Sequence, residues 1–134
     1  RMSPSNKAAP PADEPDWGAP YNWRGFKVHH LAALEHHAQA VQALYKAHPA
    51  GEPFRAEHVA ALLVPLDALA ALDDWLPDSE GGRGAMDKIL RERQALRDAL
   101  GGRCEPSVSY WQVQELTLTV AGLADYMQAM CEDE

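Results

Sequence analysis

The chain has 134 residues, 46% of them apolar and 24% charged, with a formal net charge of −8. That length predicts one domain able to bury a core of its own. The acidic balance weighs against direct binding to nucleic acid or to an anionic membrane and favours a basic partner. No apolar run approaches the roughly 20 residues that span a bilayer. The start is polar and rich in Pro and Ala, unlike a secretory signal. Two cysteines, Cys104 and Cys131, make a weak disulfide framework; two reduced thiols and a cytoplasmic compartment are expected.

Residues 1 to 24 read as an extended, Pro/Ala-rich N-terminal segment, with Pro4, Pro10, Pro11, Pro15 and Pro20. Such composition does not specify a packed core. Its aromatics Trp17, Tyr21 and Trp23, with Phe26 just beyond, either lap over one end of the fold or form a contact surface, because Trp and Tyr are enriched at binding hot spots.

A first helix is expected from Gly25 to His48, stopped by Pro49. Its core stripe is Leu31, Leu34, Ala38, Val41 and Tyr45. Two histidine pairs ride on it, His29-His30 and His36-His37. The like-facing members are seven positions apart, about 10.5 Å along the axis. A single ion cannot bridge that, and the positions four further on carry no ligand, so no metal is expected. His30, His37 and His48 flank the stripe, whereas His29 and His36 face out.

A second helix follows Gly51-Glu52-Pro53. Val59, Leu62, Leu63, Leu66, Leu69 and Ala70 keep helical spacing across Pro65, which predicts one kinked helix or two short ones. Asp73 and Asp74 at its end oppose the helix dipole, which suggests another contact for them. Asp78 to Gly84 reads as a loop. Its glycines do not make a phosphate loop, because no strand precedes them and the Gly-Lys-Ser/Thr pattern is missing.

The third helix, Ala85 to Leu100, is stopped by Gly101-Gly102. Met86, Ile89, Leu90, Leu96 and Leu100 form its stripe. It is the basic element, with a face of Arg91, Arg93 and Arg97 beside Lys88. Those arginines either bind the bundle together or meet an acidic partner. Interleaved acids and the lack of nearby aromatics make it a poor nucleic-acid face.

The fourth helix is expected from Ser109 to Cys131. Val113, Leu116, Val120, Leu123, Met127 and Met130 alternate three and four apart over about five turns. Ser109 and Gln112 have capping-box spacing, and Val108 and Val113 that of a hydrophobic staple. The Leu116–Val120 alternation offers a strand instead, but the helical stripe is longer. A second stripe, Trp111, Leu118, Gly122 and Tyr126, lies opposite. It is covered either by the chain itself, by another protein or by a second copy, with Gly122 permitting close approach. No Lys or Arg occurs from Glu105 to Glu134, so any exposed surface there is acidic.

The expected fold is all-α: a bundle of four to five helices in a single domain, residues 25 to 134, after the extended segment. The expected function is a non-catalytic protein-binding module, of the adaptor, inhibitor or immunity type, with no cofactor. Trp17, Tyr21, Trp23, Trp111, Leu118 and Tyr126 are the candidate contact residues. The partner is another protein with a basic surface, or a second copy of the chain. Two alternatives are a small subunit of a nucleoprotein complex using Arg91, Arg93 and Arg97, and a metal protein or enzyme using the histidines with Glu57, Asp73 or Asp74. The latter lacks the Glu-x-x-His pairs of helical carboxylate–histidine sites.

Overall fold

The computed structural model describes residues 23 to 132. Trp17 and Tyr21 lie outside the described residues. The elements are α1 (Trp23–His29), α2 (Leu31–Ala47), α3 (Ala56–Ala70), a 3-10 turn (Asp73–Trp75), α4 (Glu80–Gly101) and α5 (Tyr110–Cys131). Among the described residues there is no strand, only an isolated antiparallel bridge between Phe54 and Val108. The chain is all-α, as its periodicity requires.

Four helices form a ring. α2 packs on α3 and α5, α4 packs on α3 and α5, and α1 lies against α2 and α5. Cross-links between α4 and α5 run in opposite senses along the two helices, Lys88 to Glu115 and Glu92 to Gln112. The two are therefore antiparallel, as expected of a short connection. Each helix turns its apolar stripe to the centre: Leu34 and Val41, Val59 and Leu66, Met86 and Ile89, Val113 and Val120 are all fully buried. Each such side chain contributes roughly 1.5–3 kcal/mol relative to exposure.

The first predicted helix is two. The break falls at His30, with φ −132° and ψ −22°. No Pro or Gly is at the break. Instead the His30 ring sits between Phe26 and Trp75, with centroids 5.7 and 4.8 Å away. Pro65 lies inside one helix, α3, and is itself buried. It removes one backbone donor, so the Ala61 carbonyl lacks its usual partner, and its ring adds apolar surface to the core.

Of the stretch read as a loop before the third helix, Asp78 to Gly84, residues 80 to 84 are helical. α4 begins at Glu80, and Ser79 is its N-cap, with Oγ accepting from the Gly82 N–H at 3.2 Å. Gly81 and Gly82 are not there to break the helix. A Cβ on Gly81 would lie 2.9 Å from the Tyr126 ring, and one on Gly82 would lie 2.7 Å from Ser79 Oγ and 3.4 Å from Met127 Sδ. The glycines let the first turn of α4 lie directly on α5.

α5 is a helix and not a strand. Val113, Leu116, Val120, Leu123 and Met127 are buried; Met130 is exposed, and Cys131 takes the last core place. The β-branched Thr117 and Thr119 are accommodated by bonding back to the carbonyls of Val113 and Glu115, at 2.8 and 3.0 Å. The capping box does not form. Ser109 Oγ accepts from the Trp111 N–H at 3.2 Å, and Gln112 Nε2 donates to Glu92 Oε1 at 3.3 Å. Cys131 is buried, 1% exposed, and its thiol reaches the Trp23 carbonyl at 3.8 Å. Cys104 is on the surface, and no disulfide joins the two.

Candidate functional site

α5 meets α2 on one side, where Gln114 Nε2 donates to the Tyr45 hydroxyl at 2.9 Å. On the other it meets α4, through Lys88–Glu115 at 3.7 Å. The face between these contacts is uncovered by the described residues. It carries Trp111, Leu118, Gly122, Asp125 and Ala129, all exposed, with Glu115, also exposed, at its edge where Lys88 meets it. Trp111 is 62% exposed and Leu118 is 65% exposed. Seven positions apart, they stand one above the other, separated by about 10.5 Å. Trp111 is oriented by its own N–H on Ser109 and by the Tyr110 ring, set edge-on at 5.1 Å. A Cβ on Gly122 would meet nothing within 4 Å, so the bundle itself has no need of a glycine there.

The six candidate contact residues therefore separate. Trp111 and Leu118 share this exposed face. Tyr126 does not belong to it: it is half-buried, with its ring over Gly81 and Gly82 of α4. Trp23 is half-buried against the core at the far end of α5. The expectation that the second stripe is covered by its own chain fails for Trp111 and Leu118 among the described residues and holds for Tyr126.

The basic face of α4 is largely engaged with acids of the bundle. Arg93 Nε and Arg97 Nη2 both donate to Asp67 Oδ1 of α3, at 2.7 and 2.5 Å. Hydrogen bonds from Arg97, then Arg93, hold the Asp67 carboxyl below its ordinary range, against the opposing effect of burial. Arg91 is exposed. Arg83 contacts Asp73 and pairs with Asp87 at 3.0 Å. Burial works against the Arg83 cation, but the two carboxylates outweigh it and raise its pKa. This is the contact that the acidic end of the second helix lacked in sequence.

The histidines fall in three places. His29 neighbours His30, and His36 neighbours His37. Among the described residues, no three His, Cys, Asp or Glu side chains come together as a metal set. Burial, and secondarily His29, lowers the pKa of His30; burial, and secondarily His36, lowers that of His37. Both rings are therefore more readily protonated in the unfolded chain than in the fold. Their contribution is neutral at pH 7, and stability falls once pH drops below 6.5, the ordinary imidazole value. Urea unfolding at pH 7 and pH 5 checks this: the loss of midpoint on acidification is expected to be smaller in a His30→Gln/His37→Gln variant than in the wild-type chain.

The third place brings together His48, read in sequence as flanking the core stripe of the first helix, and His58 of α3, a pairing the sequence did not indicate. His48 stacks on Phe54 at 3.7 Å and 17°, and the His58 ring meets it edge-on at 4.7 Å. Tyr110 lies behind, 6.4 Å from His48, and adjoins Trp111. The available signal was the Arg55-x-x-His58 spacing, which is that of a capping box with His in place of Glu or Gln.

Compared with family models, curated proteins and solved structures, the chain matches none. Among the described residues, no helix is long and apolar enough to cross a membrane.

Proposed function

We propose that the protein is a non-catalytic protein-binding module, of the adaptor, inhibitor or immunity type, and that the outer face of α5 receives a partner with a basic surface. The observation that carries this reading is the pair Trp111 and Leu118, 62% and 65% exposed, on a helix face whose charged members are Glu115 and Asp125. A large aromatic beside an aliphatic, with the carboxylates Glu115 and Asp125 on the same helix face and Lys88 of α4 only at its edge against Glu115, has the make-up of an interface hot spot. The chain from Glu105 to Glu134 contributes no cation to oppose a basic partner. Two copies meeting face to face would bring like charges together, which favours a different protein as occupant.

The test compares wild-type protein with a Trp111→Ala/Leu118→Ala variant as immobilised baits in extract of the native cell. Both side chains project into solvent, so the variant is expected to keep its helicity and its unfolding midpoint. Proteins that the wild type retains should be depleted about tenfold or more by the variant. Their retention should also weaken with added salt. Equal retention by both baits would remove α5 from the function. A concentration-dependent dimer in light scattering, abolished by the same variant, would give the face to a second copy and exclude the basic partner.

A further inference from the structure

Residues 48 to 55 join α2 to α3 and are held by histidines at both ends. The turn at Pro49–Glu52 closes with the Glu52 N–H on the Pro49 carbonyl at 3.2 Å. Gly51 supplies the φ of +78° that its third position requires. At the start, His48 Nε2 reaches the carbonyls of Glu52 and Pro53 at 3.0 and 3.1 Å. Both partners are acceptors, so Nε2 carries a proton. At the end, the Arg55 N–H donates to His58 Nδ1 at 3.1 Å. A nitrogen that accepts has a lone pair, so His58 is neutral here with its proton on Nε2. His58 is the third residue of α3 and Arg55 its N-cap. The guanidinium of Arg55 has no acceptor to return, so the His58 side chain alone makes the cap. In the middle of the segment, Phe54 and Val108 exchange two backbone hydrogen bonds, at 2.8 and 2.9 Å. Val108 directly precedes Ser109, the N-cap of α5. The segment thus seats the turn that presents Trp111.

The two histidines respond oppositely to acid. A second proton on His48 goes to Nδ1 and leaves the Nε2–H bonds to Glu52 and Pro53 in place. A second proton on His58 goes to Nδ1 and abolishes the acceptor for Arg55. It also sets a cation in the first turn of α3, where the helix dipole disfavours positive charge. The groups around the His58 ring are Glu57 of its own helix, with Oε1 at 3.8 Å from Nε2, His48 from the end of α2, and Phe54 of the loop. Tyr110 of α5, itself in contact with Tyr45 of α2, stands behind His48. Protonated His58 therefore loses a backbone partner, keeps the Glu57 carboxylate at 3.8 Å, and faces repulsion from the Arg55 guanidinium at the same helix end and from His48 if that ring is charged too.

We propose that His58 is a proton-operated catch: neutral, it caps α3 and holds the Arg55 end of the 48–55 segment; protonated, it releases that cap. The proposal rests on the capping geometry and is independent of what α5 binds.

Amide hydrogen exchange by NMR tests it, on the wild-type chain and on His58→Gln, at pH 7 and pH 5, with rates corrected for intrinsic exchange. Glutamine at this helix position can accept from the same N–H and has no proton to gain. The reading is the protection of the Arg55 amide relative to that of Ile89, in the middle of α4, which reports opening of the whole bundle. In the wild type this ratio should fall about fivefold on acidification, the loss of one cap. In His58→Gln it should not change. A ratio unmoved by pH in the wild type, or one that falls equally in both proteins, overturns the proposal. Imidazole nitrogen shifts give a second reading: His58 should be unprotonated at Nδ1 at pH 7, and an Nδ1–H tautomer there would also overturn it.

Discussion

Phe54→Ala is expected to destabilise the protein by about 3–5 kcal/mol, the usual cost of emptying a buried aromatic site. Phe54 lies outside every helix, in the segment before α3, yet its side chain is 1% exposed. One face of its ring is stacked by His48, and Tyr110 lies 6.3 Å away. Its backbone forms the bridge to Val108, which is also buried. The ring therefore closes the end of the bundle where α2, α3 and α5 meet, and its loss leaves a cavity whose walls are fixed by three helices. A domain of this size has about 5–15 kcal/mol of stability in all, so the variant should sit close to its unfolding threshold. Urea unfolding is the measurement: the midpoint should drop with little change in slope. Phe54→Leu should recover most of the loss, since it restores apolar volume but not the stack. A Phe54→Ala cost below about 1 kcal/mol would mean that the segment is a surface loop and not part of the core.

The helical stripes of α2, α3 and α5 were legible because the residues that make them, such as Leu34, Val59 and Val113, are core residues whose spacing is imposed by burial. The start of α4 was not legible. Gly81 and Gly82 read as helix breakers by propensity, whereas their role is set by Tyr126 and Met127 of another helix. A contact between residues some 45 positions apart leaves no local trace, and tertiary packing overrides propensity. The break at His30 was hidden for the same reason: it depends on Trp75, from the 3-10 turn, reaching the imidazole. Pro65 carried a clear local signal that left one helix or two open; the chain keeps one, with the proline ring buried in α3.

For the candidate site the division is similar. Periodicity placed Trp111 and Leu118 on a second face of α5, but it cannot state which part of that face is covered. Tyr126 falls within the same angular range and is half-buried, because the glycines of α4 make room for it. Arg93 and Arg97 looked like an outward basic face; their common partner, Asp67, lies on a neighbouring helix, with nothing in its own surroundings to announce the pairing. His58 had the spacing of a cap residue, but its acceptor role depends on which ring nitrogen carries the proton, a property of the folded geometry.

Phe26→Ala is expected to release α1 and leave the ring of four helices standing. α1 is seven residues long and Phe26 is its buried residue. Helices shorter than about 12–15 residues are marginal in water without packing, so α1 owes its helicity to docking on α2 and α5. Emptying a buried aromatic site removes about 3–5 kcal/mol, which is more than so short an element can replace. Phe26 packs into the same core cluster as Leu66, Ile89 and Val120, but it is brought there by α1, and the stripes of the four longer helices should keep a cooperative transition at a lowered midpoint. Cys131 gives the direct readout. Its thiol is 1% exposed and lies 3.8 Å from the Trp23 carbonyl, at the point where α1 crosses the end of α5. In the wild type a thiol reagent should label Cys104, which is exposed, and spare Cys131. In Phe26→Ala both should react, the second at a rate that does not depend on unfolding of the whole chain. Continued protection of Cys131, together with a large loss of overall stability, would show that α1 is a structural member of the bundle and not a docked flap, and would move the boundary of the cooperative unit to Trp23.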